Sequence, residues 1–82
     1  MQRKFAKAGV MNIMEYTIEV DREDDGRWIA ELLEIPGVMA YGVSKDEAIK
    51  KAEALALRVI AEQIEHGETA AVSFSIVLPE AA

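Results

Sequence analysis

The sequence predicts a single α+β domain in which the elements follow the order β-β-β-α-β, and three observations predict it. Apolar and polar residues alternate with a period of two over 15–21 and again over 28–33, as in half-buried strands. Over 45–66 the apolar residues recur every three or four positions, as on one face of a helix. Period-two alternation returns over 71–78. The chain has 82 residues and no cysteine, so we expect one small domain without a disulfide.

Turn residues separate the first three strands. Asp25-Gly26 is typical of a hairpin turn, so the strand that begins at Trp28 should pair antiparallel with strand 15–21. Pro36-Gly37 predicts a second turn, because proline presets φ and glycine tolerates a positive φ. A third short strand is expected over 38–41. These three strands form an antiparallel meander.

The helix has start and stop signals at both ends. Ser44 stands three residues before Glu47, the spacing of a capping box, and Gly67 supplies a left-handed stop. The apolar positions between them are Ala48, Ile49, Ala52, Leu55, Ala56, Val59, Ile60 and Ile64. A long helix after a meander returns the chain across the sheet. The fourth strand should therefore lie parallel to the first, and the helix should cover one face of the sheet. We expect the other face to be exposed to solvent or used for assembly.

Charge is distributed unevenly along the chain. The net charge is −6, yet residues 1–13 carry three bases and no acid. We expect 1–13 to be a flexible basic leader, with an artefact of start-codon choice as the alternative. We expect 14–79 to be the folded domain and 80–82 to be a tail. The acidic domain is a poor nucleic-acid surface and a better match for a basic partner. Neither a signal-peptide core nor a membrane-length apolar run is present, so a cytoplasmic protein without a membrane role is expected.

The sequence marks no catalytic or cofactor chemistry. Residues 21–26 resemble the start of a calcium loop, but the position of the required bidentate glutamate is Leu32, so a solvated turn is favoured over a metal site. His66 lacks an orienting partner and a nucleophile in the pattern, and Ser44 is better explained as a helix cap. We therefore expect a protein that is not an enzyme and has no cofactor, no metal and no catalytic residue.

A family resemblance is carried by the stretch from the hairpin to the start of the helix. The residues concerned are Asp25, Gly26, Trp28, Ala30, Glu31, Ile35, Pro36, Gly37, Gly42, Ser44, Glu47 and Ala48. They resemble the HicB-like antitoxin family, whose pattern has an aromatic-x-Ala run, a Leu-Pro-Gly-Cys-like turn and a Gly-x-Ser/Thr-x-x-Glu-Ala helix start. Leu33 stands where a proline is common and Val38 where a cysteine is common, which we interpret as packing changes.

The resemblance implies a partial ribonuclease-H-like fold without its catalytic carboxylates, and a role in silencing a small basic HicA-type toxin that cleaves mRNA. Many members add a C-terminal DNA-binding domain, and this sequence ends three residues after Pro79, so direct DNA binding is not expected. The predicted partner-binding residues are Glu31, Glu34, Ile35, Pro36, Met39 and Tyr41. Trp28 and Tyr41 suit either a core or an interface. The alternative function is an orphan structural or regulatory homo-oligomer without catalytic activity.

Overall fold

Four strands form one mixed sheet with a helix on one of its faces, in the part of the chain that the structure, a computed structural model, describes: residues 13–68 and 73–79. The elements are β1 (Ile13–Arg22), β2 (Trp28–Leu32), β3 (Met39–Gly42), α1 (Lys45–Glu65) and β4 (Ser73–Val77). The spatial order of the strands is β3-β2-β1-β4. Strand β1 pairs antiparallel with β2 and parallel with β4, and β2 pairs antiparallel with β3. The predicted fold class is confirmed.

Strand β1 is longer than the alternation predicts, because it has two partners at different places. Its C-terminal half pairs with β2, whereas its N-terminal half, from Ile13 to Thr17, pairs with β4. Ile13, which we expected at the end of the basic leader, is thus the first strand residue. The rest of that leader, positions 71–72 of the predicted fourth strand and the tail 80–82 lie outside the described residues.

The core lies between α1 and the sheet. Its buried side chains are Tyr16, Ile18, Ala30, Leu32, Val38, Ala48, Ile49, Ala52, Ala56 and Ile60. The four alanines in this set are fully buried, which lets the helix backbone approach the strands closely. At the β1–β4 side, the rings of Tyr16 and Phe74 meet edge to face with centroids 6.2 Å apart. No polar or charged side chain is buried within the described ranges.

Both ends of α1 are capped as the sequence predicts, with one difference. The Ser44 hydroxyl accepts a hydrogen bond from the Glu47 N–H at 3.1 Å. The Glu47 carboxylate reaches back one residue further than in a standard capping box and accepts the Val43 N–H at 2.7 Å. Gly67 adopts φ of 67°, and the N–H groups of Gly67 and Glu68 bond the carbonyls of Ile64 and Gln63.

Ile64 departs from the predicted apolar stripe, since its side chain is 54% exposed. Positions four apart on a helix advance by about 40° at each step, because a turn takes about 3.6 residues. The series Ala52, Ala56, Ile60 and Ile64 therefore rotates away from the sheet, and the side chain of Ile64 no longer contacts it.

The helix α1 does not combine the length and the apolar character of a membrane-spanning helix, and residues 13–68 and 73–79 contain no other candidate span.

Candidate functional site: the open face of the sheet

Within residues 13–68 and 73–79, one face of the sheet carries no helix, and we call it the open face. Its side chains are those that alternate with the core residues: Glu15, Thr17, Glu19 and Asp21 on β1, Ile29 and Glu31 on β2, Met39 and Tyr41 on β3, and Ser73, Ser75 and Val77 on β4. Most of these side chains are exposed. The face is therefore a flat surface of fixed strands rather than a pocket.

Two carboxylates face each other at the centre of the open face. Glu19 and Glu31 are direct cross-strand neighbours on β1 and β2. Like charges opposite each other in an antiparallel pair are destabilising. On the same face of β1, Asp21 lies two positions from Glu19, and Glu15 lies four positions from it with Thr17 between them. Among the described residues, no lysine or arginine forms an ion pair with any of these four carboxylates.

Apolar groups border the carboxylates on the β3 side. Met39 lies opposite Glu31, and Tyr41 lies opposite Ile29. The Arg27 guanidinium lies 4.2 Å from the centre of the Tyr41 ring and also pairs with the Asp25 carboxylate at 2.8 Å. Arg27 is thus engaged locally and leaves the central carboxylates uncompensated. The face combines fixed negative charge with a Met and Tyr border, which suits a basic side chain with a long alkyl stem.

The loop between β2 and β3 contains the other half of the predicted partner-binding set. The Thr17 N–H donates a hydrogen bond to the Glu34 carboxylate at 2.7 Å. The Thr17 carbonyl accepts a second hydrogen bond from the Leu33 N–H at 3.0 Å. The hydrogen bond from the Thr17 N–H holds the pKa of Glu34 below its usual value. Glu34 therefore ends the β1–β2 ladder in place of a backbone carbonyl. Ile35 packs partly buried against the core, and Pro36 is exposed.

The structure thus divides the six predicted residues into two groups. Glu31, Met39 and Tyr41 lie together on the open face, whereas Glu34, Ile35 and Pro36 lie in the loop. Sequence reasoning missed Glu19 as a site residue. The alternation of β1 already placed its side chain on the polar face, but only the register shows that it faces Glu31.

Trp28 and Tyr41, which the sequence left open between core and interface, have different environments. Trp28 packs partly buried against the core, with the Arg22 guanidinium 5.4 Å and the Lys45 ammonium 5.9 Å from its ring centre. Tyr41 is 39% exposed on the open face. Tyr41 therefore belongs to the candidate site and Trp28 to the framework.

The remaining candidate groups have local structural roles. The Asp25 carboxylate accepts hydrogen bonds from the backbone N–H of Arg27 at 3.0 Å and from the Arg27 side chain at 2.8 Å. The backbone hydrogen bond is the main cause of the lowered pKa of Asp25. Gly26 closes the turn by donating its N–H to the Glu23 carbonyl. His66 is the exposed C-cap of α1. The described residues contain no cluster of three or more metal-ligating side chains.

Comparison of the chain with protein-family models, with curated proteins and with solved structures finds no significant match. A functional proposal therefore rests on the resemblance in the sequence and on the geometry of the open face.

Proposed function

We propose that this chain is an antitoxin-like binding protein that neutralises a small basic HicA-type mRNA-cleaving toxin by masking its RNA-binding face. The observation that supports this proposal best is the uncompensated pair of Glu19 and Glu31 at the centre of the open face. A surface that binds RNA presents lysine and arginine to the phosphates. The same cations would relieve the repulsion between these two carboxylates.

The form of the open face also favours binding over catalysis. The backbone that carries its carboxylates is already ordered in paired strands, so binding a partner orders side chains but no backbone. Met39 and Tyr41 supply apolar and aromatic area next to the charge, and methionine and tyrosine are enriched in protein interfaces. Charge complementarity would speed the encounter with a basic partner. In this proposal the protein is not an enzyme, and it acts in the cytoplasm, where the toxin meets its mRNA.

The direct test is coexpression with the small basic protein encoded beside this chain, scored by growth rescue and by capture of the complex. In the double variant Glu19→Gln/Glu31→Gln we expect rescue to fail and the dissociation constant to rise by at least about tenfold. Glu34 is left unchanged in this test, because its carboxylate holds the Thr17 N–H.

A matched control keeps the net charge equal. Asp24→Asn/Glu62→Gln removes the same two charges at exposed positions in the hairpin turn and on the helix, away from the open face. We expect this variant to rescue growth as the parent does. If both double variants bound the toxin equally well, the open face would not be the binding surface and the proposal would fail.

A second candidate function is a structural or regulatory homo-oligomer, and one feature of β3 favours it. This four-residue strand is a sheet edge, and it contains no lysine or proline to discourage further pairing. Because Leu32 bonds Val38, the hydrogen-bonded pairs with β2 continue at Ala40, so the N–H and C=O groups of Met39 and Tyr41 point outward. Self-association that is abolished by Tyr41→Pro, in a chain that binds no toxin, would favour this function.

A further inference from the structure

The side chain of Arg27 extends the open face at the end where the hairpin turns. Arg27 comes two positions before Ile29, so the alternation of β2 places both side chains on the same face. Tyr41 lies opposite Ile29, which makes Arg27 its diagonal neighbour across the strands. The Arg27 guanidinium lies 4.2 Å from the centre of the Tyr41 ring, closer than either cation that lies over the ring of Trp28. Arg27 therefore stacks closely on a residue of the candidate site.

Arg27 is held in place by its backbone as well as by its side chain. Its carbonyl accepts the Glu23 N–H at 2.7 Å, and its own N–H donates to the Asp25 carboxylate at 3.0 Å. Its Nε donates to the second oxygen of the same carboxylate at 2.8 Å. With the stack on Tyr41, four contacts fix this one residue. The hairpin turn thus determines where the guanidinium lies.

Stability alone is a weak reason for these contacts. The side chains of Arg27 and Asp25 are 51% and 55% exposed, and an exposed ion pair contributes little to stability. Ordering an arginine side chain also costs conformational entropy. The stack has a definite effect on Tyr41, because it restricts the ring while 39% of the side chain stays exposed. A tyrosine ring that is already ordered loses less rotamer freedom when it contacts a partner.

We propose that Arg27 is a positioning residue for partner binding, which holds the Tyr41 ring in the orientation that contacts the basic partner. This role rests on the proposed function, because it takes the open face to be the binding surface. Asp25 in turn holds Arg27, so the hairpin turn supports a contact made on β3. The charge of Arg27 acts in the opposite direction, since a cation on this surface repels a basic partner. Experiment can therefore separate an effect through charge from an effect through Tyr41.

The test measures the rates at which the small basic protein encoded beside this chain binds the full chain, by surface plasmon resonance. Arg27→Gln removes a positive charge and frees the Asp25 carboxylate, so charge alone predicts faster association and a lower dissociation constant. We expect instead that the dissociation constant rises about three- to tenfold, through faster dissociation. Arg27→Lys keeps the charge but lacks the planar guanidinium, and we expect a similar rise. Tighter binding by Arg27→Gln, or unchanged binding by Arg27→Lys, would overturn the proposal.

The matched control is Arg22→Gln. Arg22 is also exposed at the hairpin end, but its guanidinium lies 5.4 Å from the ring centre of Trp28, which packs against the core. The change removes the same charge and leaves the stack on Tyr41 intact. We expect this variant to bind no more weakly than the parent. If it weakened binding as much as Arg27→Gln does, the effect would not act through Tyr41, and the positioning role would be wrong.

A double-mutant cycle with Tyr41→Leu separates positioning from a general structural role. Without a ring to position, Arg27→Gln should no longer weaken binding, whereas a structural role would weaken it in both backgrounds. Circular dichroism verifies that each variant is folded. NMR checks the stack without a partner, since the ring should shift the Arg27 side-chain proton signals upfield in the parent but not in Tyr41→Leu. Absence of this shift, or an equal effect of Arg27→Gln in both backgrounds, would overturn the positioning role alone. A parent chain that binds no toxin would overturn the proposed function and this role with it.

Discussion

The two faces of the same sheet differ in almost every physical property. On the covered face, Ile18 and Leu32 are opposite each other and almost fully buried under the helix. One position along the same strands, Glu19 and Glu31 are opposite each other and exposed. The covered face gains stability from burial, whereas the open face accepts a repulsive pair. Folding and binding are thus assigned to alternate residues of the same two strands, so variants can separate one role from the other.

The largest expected effect is on the covered face. Ile18→Ala removes a side chain that is 1% exposed, and we expect a loss of about 2 to 5 kcal/mol in the free energy of unfolding from lost transfer energy and the cavity left behind. Urea denaturation measures it. Val77→Ala, at a 44% exposed position of the open face, should cost less than about 1 kcal/mol. Equal losses at the two positions would contradict the division between the faces.

The next effect concerns the junction between the sheet and the helix. A Cβ on Gly42 would lie 2.6 Å from the Ala48 backbone nitrogen and 3.0 Å from the Glu47 carboxylate oxygen. Gly42→Ala must therefore shift the start of α1, and we expect a loss of about 1 to 3 kcal/mol, measured by thermal or urea unfolding. Gly37→Ala is a useful comparison, since a Cβ there meets nothing and only its φ of 92° is strained. A Gly42→Ala protein as stable as the parent would show that the helix start can move freely.

A smaller effect of opposite sign is expected at the centre of the open face. Glu19→Lys converts the repulsive pair with Glu31 into an attractive one and should stabilise the fold by about 0.5 to 1 kcal/mol. The same change should abolish toxin binding. Glu15→Lys is the matched control, because Glu15 faces Ser75 rather than an acid. If Glu19→Lys destabilised the chain, the central repulsion on which the functional proposal rests would be absent.

The smallest expected effect is a pH dependence at the helix start. The Val43 N–H, and then Lys51, hold the pKa of Glu47 below its usual value. A carboxyl with a lowered folded pKa stabilises the fold above its unfolded pKa, about 4.3, and loses that contribution as the pH falls through the folded pKa. The Tm difference between the parent and Glu47→Gln should therefore be largest near neutral pH and shrink below about pH 4. A difference that stays constant from neutral to acidic pH would contradict this assignment.

Several features of this protein were predictable because neighbours in the sequence determine them. Alternation along 15–21 and 28–33 predicted the first two strands and their faces, and Asp25-Gly26 predicted the hairpin that joins them. The capping serine and Gly67 predicted both ends of α1 within one residue. Half of the expected site, Glu31, Met39 and Tyr41, lies on one surface for the same reason, since each is one position away from a core residue.

Other features depend on how segments distant in the sequence pack against each other, and the local pattern of residues does not determine that packing. The pairing of Glu19 with Glu31 follows from the register of β1 and β2, and the bond from Thr17 to Glu34 follows from where that ladder ends. The requirement for glycine at Gly42 comes from the close approach of Ala48. By itself the sequence determined which residues share a face, because side-chain direction has a fixed local period. Only the tertiary structure decided which of them face each other, because register is set by long-range pairing.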